Sequence, residues 1–309
     1  MNSTFPCRTW VVNRENPAAY DSNPGTEEKP LRTIMAAAKH ACPGDTVLVH
    51  AGTYRETVVP VRSGEEGCPI SYQAAHGERV VIKGSEVITS KWHQRASSQI
   101  FTTSIPVMDG VPNPFAVPLI EKGQSYIQTM REAATHRTLG QVFLEGLPLD
   151  EVDRPELLES MPGTWLPTEN GTQLLVHFPI WVIDPADHIV EITLRSAVFR
   201  PESRGLGHLA IRGFIMEHAS NQALTSFWEK GSAPQQGLIS CRSGHHWVIE
   251  NNIIRYAKSI GLDMGSEGRM DDLDGQATTG LVGYHRILGN TISDNGQGGI
   301  CGLGHIGTE

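Results

Sequence analysis

Acidic side chains near the end of the sequence are of the type that performs acid–base or nucleophilic chemistry. Asp263 follows the apolar Leu262, Glu267 lies in GSEGR, and Asp294 lies in SDNGQ. Cleavage of a glycosidic bond uses two carboxyl groups, about 5–5.5 Å apart in retaining enzymes and farther apart in inverting ones. Adjacent rungs of a stacked sheet, about 4.7–4.9 Å apart, can supply such a pair. We expect Asp263 to point outward, and the competing interpretation of each carboxylate is a solvated turn.

A cluster of aspartates and a set of aromatic residues are further candidates for ligand binding. The aspartates offer hard oxygen ligands for Ca²⁺, unless they form a solvated loop; they are Asp271, Asp272 and Asp274. The aromatic side chains can stack on sugar rings or pack in a core; they are Trp165, Trp181, Phe227 and Trp228. The sequence contains no phosphate-binding glycine loop, dinucleotide-binding motif or serine nucleophile motif, which argues against nucleotide chemistry and serine hydrolysis.

Four histidines could be metal ligands if the fold brought them together. His245 and His246 are adjacent, and His208 and His218 lie about one repeat earlier. No fixed zinc-site spacing of Cys, His or Asp accompanies them, and neighbouring residues of a strand point to opposite faces. We therefore predict no metal site and no cofactor.

A 38-residue repeat defines the elements that must position these side chains. The segments HLAIRGFIMEHAS, HWVIENNIIRYAK and YHRILGNTISDNG align without gaps. The alignment places in register Ile211, Ile249 and Ile287; Met216, Ile254 and Ile292; Asn252 and Asn290; Gly261 and Gly299; and Leu262 and Ile300. This pattern is typical of solenoid rungs, in which apolar residues stack inside, Asn binds backbone groups at a turn and Gly supplies positive φ.

The N-terminal third combines one helix with several strands. Residues 31–42, LRTIMAAAKHAC, carry apolar residues at helical spacing and stop at Pro43-Gly44, which predicts a short amphipathic helix. Alternation and β-branched runs predict strands that include Val47 and Val49, 57–61, 70–72 and 80–82. We interpret the helix as a cap on the first rung of the solenoid; the alternative is an ordinary α+β start.

The rung pattern disappears between Trp92 and about Arg200. Asn170-Gly171 between apolar runs predicts a β-hairpin there. We interpret this segment as an antiparallel β-sandwich-like module inserted at a surface turn of the solenoid. The predicted organisation is a cap with first rungs at 1–91, the insert at 92–200 and further rungs at 201–309.

Composition and charge exclude several classes of partner. The 309 residues include 25 Lys and Arg against 34 Asp and Glu, a net charge of −9 that disfavours nucleic acid. No apolar run is long enough to span a membrane, and no signal peptide is visible. The five scattered cysteines favour reduced thiols, so we expect a cytoplasmic protein.

The order of these segments resembles the β-xylosidases of glycoside hydrolase family 120. The resemblance is carried by PLRTIMAAAKHACPGDTVLVHAGTYRETVVP, ISYQAAHGERVVIKGSEVI, LGQVFLEG, DPADHIVEITLRSAVFRP, HHWVIENNIIRYAKSIGLDMGSEG and GQGGICGLGH. It implies an all-β, right-handed parallel β-helix with a short N-terminal capping helix and an inserted β-sandwich. It also implies a retaining β-xylosidase whose substrate is a xylo-oligosaccharide.

The resemblance places the catalytic carboxylates on rungs after GQGGICGLGH, so no catalytic residue is expected within 1–309. It implies that Glu267, Gln297 and His305 line the sugar groove, because the matching rungs carry similar residues, while the match at Tyr126 is too loose to transfer a role. A Gln amide and a His imidazole can bind sugar hydroxyls. The competing interpretation of these residues is turn architecture.

Family members are longer than this sequence, and no capping segment follows its last rung, from Ile287 to Leu303. We therefore expect the N-terminal portion of a longer enzyme, inactive by itself; a homo-oligomer would be another way to cover that edge. Two alternatives stay open. One is a Ca²⁺-dependent polysaccharide lyase using Asp271 to Asp274 and a Lys or Arg base, with Lys258 as the one lysine of the last two repeats. The other is a non-catalytic, glycan-binding β-helix.

Overall fold

The protein is a parallel β-helix, as predicted, built from short strands in three parallel sheets and one further sheet. The computed structural model describes residues 7–95, 98–108, 110–117, 137–221, 237–266 and 282–303. The first sheet contains, in spatial order, Thr9–Val12, Thr46–Val49, Ile70–Ala74, Leu209–Arg212, Val248–Glu250 and Arg286–Leu288. The second contains Thr291–Ser293, Ile253–Ala257, Ile215–Ala219, Val80–Lys83 and Gly52–Tyr54, and the third contains Gly237–Ser240, Ile260–Ser266 and Gly298–Leu303.

The predicted register of 38 residues is confirmed in all three sheets. Ile211 pairs with Ile249 in the first sheet, and Ile249 pairs with Ile287. The same shift pairs Met216, Ile254 and Ile292 in the second sheet, and Leu262 and Ile300 in the third. Most of these side chains, from distant parts of the chain, are buried in one core between the sheets, while Ile287 and Ile292 pack against that core and Ile300 is half exposed. Burial of apolar surface therefore stabilises the same register that the backbone hydrogen bonds define.

Asparagine side chains satisfy backbone groups at the bend between the first and second sheets. The buried Asn252 amide donates to the Ile211 carbonyl at 3.0 Å and accepts from the Phe214 N–H at 3.0 Å. One rung later, Asn290 donates to the Ile249 carbonyl at 2.8 Å. The bend is two residues long and cannot pair these groups through a sheet, so the side chains replace the missing partners.

The sequence pattern assigned the wrong role to Gly261 and Gly299, which were predicted to supply positive φ. Gly261 and Gly299 do not adopt positive φ; a Cβ at Gly261 would lie 2.7 Å from the Asn295 side chain, so close packing explains this glycine. Positive φ occurs instead in the column of Gly213, Asn251 and Gly289, with values of 78°, 55° and 61°. This column precedes the asparagine ladder and turns the chain sharply in each rung.

A short N-terminal helix, Ile34–His40, packs on the end of the core. The Thr33 hydroxyl caps it by accepting from the Ala36 N–H at 3.1 Å. The helix is shorter than the predicted 31–42 because Leu31 makes a parallel bridge with Val12.

The predicted strand at 57–61 is reduced to one bridge at Val58, since Pro60 has no N–H to donate. Among the described residues, no helix has the length and apolar character needed to cross a membrane.

The insert is an eight-stranded sheet within one turn of the solenoid, between the second-sheet strand Val80–Lys83 and Phe199, which bridges Val58 and Ile239. Its spatial order is Ser85–Val87, Val190–Thr193, Val142–Leu144, Leu147–Glu151, Thr164–Thr168, Gln173–His177, Ile100–Ser104 and His93–Gln94. All neighbours are antiparallel except the fourth and fifth strands. The predicted hairpin at Asn170-Gly171 is confirmed.

Strands from both halves of the insert share one apolar core, so the sheet folds over itself. The first strand of the insert precedes the predicted boundary at residue 92. A six-residue helix, Pro155–Ser160, and the 3-10 turns Pro114–Ala116, Glu169–Gly171 and Pro185–Asp187 complete the insert.

A buried network of charges joins the insert to the solenoid. Lys83, Glu217 and Arg255 occupy one column of the second sheet, with Lys83 to Glu217 at 3.1 Å and Arg255 to Glu217 at 2.8 Å. Glu191 of the insert lies 2.8 Å from Lys83 and 2.6 Å from Arg55. Burial by itself would raise the pKa of both glutamates, but the facing cations hold it below the ordinary value. Both carboxylates are therefore charged and compensated.

Asn252→Ala tests the asparagine ladder. The substitution leaves the Ile211 carbonyl and the Phe214 N–H without partners inside the protein, so we expect a loss of about 2–4 kcal/mol in the free energy of unfolding. Urea unfolding measures this. The matched control is Asn16→Ala, because Asn16 accepts from the Ala18 N–H in an exposed turn. Equal effects of the two substitutions would contradict the assigned role of the ladder.

Glu191→Gln tests the junction. Removal of one buried charge leaves Arg55 without its carboxylate and Lys83 with Glu217 alone, so we expect a loss of about 3–5 kcal/mol in unfolding free energy. Asp153→Asn is the control in the insert, where Asp153 pairs with the exposed Arg154 and should contribute less than about 1 kcal/mol. A loss below that of the control would show that the network does not hold the junction.

Candidate functional site

The face of the third sheet that is opposite Leu262 carries a column of polar side chains. Ser240, Asp263 and Cys301 occupy equivalent positions on its three strands. Leu262 belongs to the core, and alternation along the strand assigns Asp263 to the other face. Asp263 is nevertheless only 2 % exposed, so it does not lie in a solvated turn.

The Asp263 carboxylate is held by two short hydrogen bonds. The Ser240 hydroxyl donates to Oδ2 at 2.7 Å, and the Gly265 N–H donates to Oδ1 at 2.8 Å. Burial raises the pKa of Asp263 to about 6, although these bonds and the charges of Arg200 and Arg204 act in the opposite direction. Desolvation is therefore the larger effect.

Basic and thiol groups surround this carboxylate. Arg200 is partly buried, which lowers its pKa, and Asp263 acts against that shift. Arg204 donates to the Ser243 hydroxyl at 2.8 Å. Burial, and after it the charge of Asp263, raises the pKa of Cys301 to about 11, so the thiol of Cys301 is protonated at neutral pH. Cys301 is consequently a poor nucleophile.

Asp263 can both hold and release a proton near neutral pH. A carboxyl group with a pKa of about 6 suits general acid–base chemistry, and perturbed carboxyl groups are concentrated at functional sites. The charged side chains that act most strongly on it, Arg200 and Arg204, are cations. A glycosidase mechanism with two carboxyl groups would therefore need a second carboxyl group besides the side chains described around Asp263.

The structure places one of the three predicted groove residues. Gln297 is exposed, its side-chain amide oxygen accepts from the Ser259 hydroxyl, and its backbone N–H donates to the Ser259 carbonyl at 2.8 Å. It stands one rung after Ser259 and two after Asn221, at the bend before the third sheet. Its role in sugar binding stays a prediction. Asp294 is exposed. Several other predicted residues lie outside the described ones: Glu267, His305, Asp271, Asp272, Asp274, Tyr126, Phe227 and Trp228.

Three histidines meet at the corner where the chain enters the first sheet. The metal-binding nitrogens of His208, His245 and His246 all lie within 4.8 Å of one another. Strand alternation predicted that neighbouring histidines point to opposite faces, but it does not apply here. His245 and His246 precede the strand, and His246 has φ of 54°. The repeat itself is the signal that could have predicted the cluster, because His208 stands one rung before His246.

Other candidates from the sequence have structural surroundings. His218 is buried at the junction, where its ring stacks on Phe143 at 3.6 Å and its Nδ1 is 2.8 Å from the Ser85 hydroxyl. Burial and then the Lys83 charge lower its pKa to about 3, so the imidazole is neutral. Lys258 lies 3.0 Å from Glu151 of the insert. Trp165 packs in the insert core as expected, whereas Trp181 is 56 % exposed.

Comparisons with known proteins match parts of this architecture. A family described as a protein of unknown function, DUF1565, matches residues 18–70. The uncharacterized protein YwoF of Bacillus subtilis is 40% identical over 77 residues, which are 25% of this chain and 16% of YwoF. Pectate lyase PEL9 of Emericella nidulans is 34% identical over 74 residues, which are 23% of this chain and 18% of PEL9.

The structure of XylC in complex with xylose superimposes on the described fold with a TM-score of 0.79 and 28% sequence identity. The match covers 95% of this chain and 51% of the XylC chain. This chain thus spans about half the length of XylC, and its matches to YwoF and PEL9 span less than a fifth of each. XylC and this protein share a fold over almost all of the present sequence.

Asp263→Asn tests the buried carboxyl group through pH dependence. Because folding raises this pKa from 3.8 to about 6, the protonated group stabilises the fold fully below about pH 4, and this stability is lost as the pH rises through 6. The loss amounts to about 3 kcal/mol for a shift of this size. The variant should lack it, so its stability relative to wild type should improve by that amount between about pH 4 and about pH 7.5.

Urea unfolding at both pH values measures this difference. Asp294→Asn, at an exposed position with φ of 55° that Asn tolerates, is the control. A pH-independent difference between Asp263→Asn and wild type would contradict the buried, raised-pKa carboxyl.

Proposed function

We propose that the protein is a glycoside hydrolase, or the N-terminal part of one, that acts on short xylo-oligosaccharides with retention of configuration. The observation that carries the proposal is the similarity to XylC, which was solved with xylose and matches 95% of this chain at a TM-score of 0.79. The order of sequence segments that resembles family 120 β-xylosidases supports it independently of the superposition.

We assign the sugar groove of this chain to the side on which the exposed Gln297 lies. Asp263 is buried and bonded by Ser240 and Gly265, so it is not itself open to a sugar. Glu267, Gln297 and His305 remain our proposed groove residues. The carboxyl groups of a double displacement are proposed to lie on further rungs, as the family resemblance implies.

A lyase is the second candidate because of the PEL9 match. A β-elimination needs a base beside the acidic sugar, and Lys258 was the sequence candidate for that base. Lys258 bonds instead to Glu151 and to the Gly140 carbonyl, both at 3.0 Å, and this pairing ties it to the insert. We therefore rank the hydrolase first.

The deciding experiment compares the product of the complete reading frame with this 309-residue chain on an aryl β-xyloside, xylobiose and polygalacturonate. We expect hydrolysis of the xylosides by the complete product, release of β-xylose first in the NMR spectrum, and no turnover by the 309 residues alone. First release of α-xylose would contradict retention. Unsaturated uronides, seen by ultraviolet absorbance, would establish the lyase, and inactivity of the complete product on every substrate would support a binding scaffold.

Gln297→Ala tests the groove in the active protein. Loss of one neutral hydrogen bond to sugar costs about 0.5–1.5 kcal/mol, so KM for xylobiose should rise about two- to tenfold with little change in kcat. Gln94→Ala, at an exposed position of the insert, is the control. An unchanged KM would remove Gln297 from the groove and leave it a turn residue.

A further inference from the structure

His208, His245 and His246 form a compact set of imidazoles on the outside of the solenoid. The Nδ1 atoms of His245 and His246 lie 3.0 Å apart, and the His208 ring stacks on the His246 ring with centroids 4.9 Å apart. All three side chains are half-buried, and their potential ligand atoms lie within 4.8 Å of one another. The group is not part of the Asp263 hydrogen-bond network.

We infer that His208, His245 and His246 bind one divalent transition-metal ion, with Zn²⁺ as the ion that fits best. Zinc–imidazole bonds of about 2.0–2.1 Å in a tetrahedron place ligand nitrogens roughly 3.3 Å from each other. The three ligand atoms here lie within 4.8 Å of one another, so small side-chain shifts bring them to that distance. Three imidazoles without a carboxylate suit Zn²⁺, Cu²⁺ or Ni²⁺, and do not suit Ca²⁺ or Mg²⁺.

The backbone already holds the three histidines in place. His208, His246 and Tyr284 stand one rung apart, with φ of 54°, 54° and 57°, and their rings stack in one column. The His208 N–H donates to the His245 carbonyl at 3.0 Å, and the His246 N–H donates to the Gly283 carbonyl at 2.8 Å. The ligands therefore lose little conformational entropy when an ion binds.

Gly207 sets the position of the third ring. A Cβ at this residue would overlap the ring of His245, so glycine allows the imidazole to lie against the neighbouring rung. Gly207 is bridged to His245, and His245 is bridged to Gly283. The close approach brings His245 over the edge of the His208 and His246 stack.

Burial, followed by the charges of His208 and His246, lowers the pKa of His245, which favours the neutral imidazole that binds a metal. A fourth histidine, His285, is used elsewhere: its Nδ1 accepts from the Trp247 N–H at 3.2 Å and its Nε2 lies 3.2 Å from the Met264 carbonyl. With three protein ligands and partial exposure, the fourth position of the ion is open to water or a substrate hydroxyl.

The experiment is a calorimetric titration of Zn²⁺ into the 309-residue chain after chelator treatment. We expect one equivalent to bind, at least 100-fold more tightly than to the double variant His208→Asn and His245→Asn, in which Asn tolerates the positive φ of residue 208. His76→Ala, an exposed loop histidine, should bind as wild type does. Co²⁺ should give the visible spectrum of a tetrahedral nitrogen site without thiolate bands.

Urea unfolding without metal checks that the double variant is folded. Gly207→Ala is a second variant that removes no imidazole but displaces His245, so it should also lose tight binding. The inference is overturned if wild type binds no stoichiometric Zn²⁺, if the folded double variant binds as tightly, or if the Co²⁺ spectrum shows thiolate ligands. Each result is independent of xyloside hydrolysis, so the metal site and the proposed function can fail separately.

Discussion

The register of 38 residues between rungs is the constraint on which the rest of the structure depends. In a parallel sheet a slip of one residue exchanges every inward side chain with an outward one. The paired columns led by Ile211 and Met216 resist that slip because their partners Ile249 and Ile254 are buried in the same core. The Asn252 ladder adds a polar penalty, since displaced amides would leave buried backbone groups unpaired.

The same register creates the features that could serve function. It aligns Lys83, Glu217 and Arg255 into a charged column that holds the insert, and it aligns His208 with His246 at the corner of the first sheet. Ser240 and Asp263 also pair between adjacent rungs, but over a spacing of 23 residues. Binding groups on this solenoid are therefore made by stacking residues from successive rungs, and one strand alone supplies only part of each.

Much of the fold could be predicted from sequence because a repeat makes long-range pairing visible as a spacing. The columns led by Ile211 and Met216 were predictable for this reason. Helix ends were less so, since Leu31 has helical spacing but pairs with Val12. The site was harder to predict: the electrostatic surroundings of Asp263 include Arg200 from another rung, and the histidine cluster depends on positive φ at His246, where strand alternation does not apply.

The most direct test of the register is a double-mutant cycle with Glu217→Gln and Arg255→Met, two residues that the 38-residue register pairs in the second sheet, measured by urea unfolding. The account predicts a coupling free energy of about 1.5–3 kcal/mol, because the Arg255 Nε donates to the buried Glu217 carboxylate at 2.8 Å. A coupling close to zero would place the two side chains apart and contradict the register.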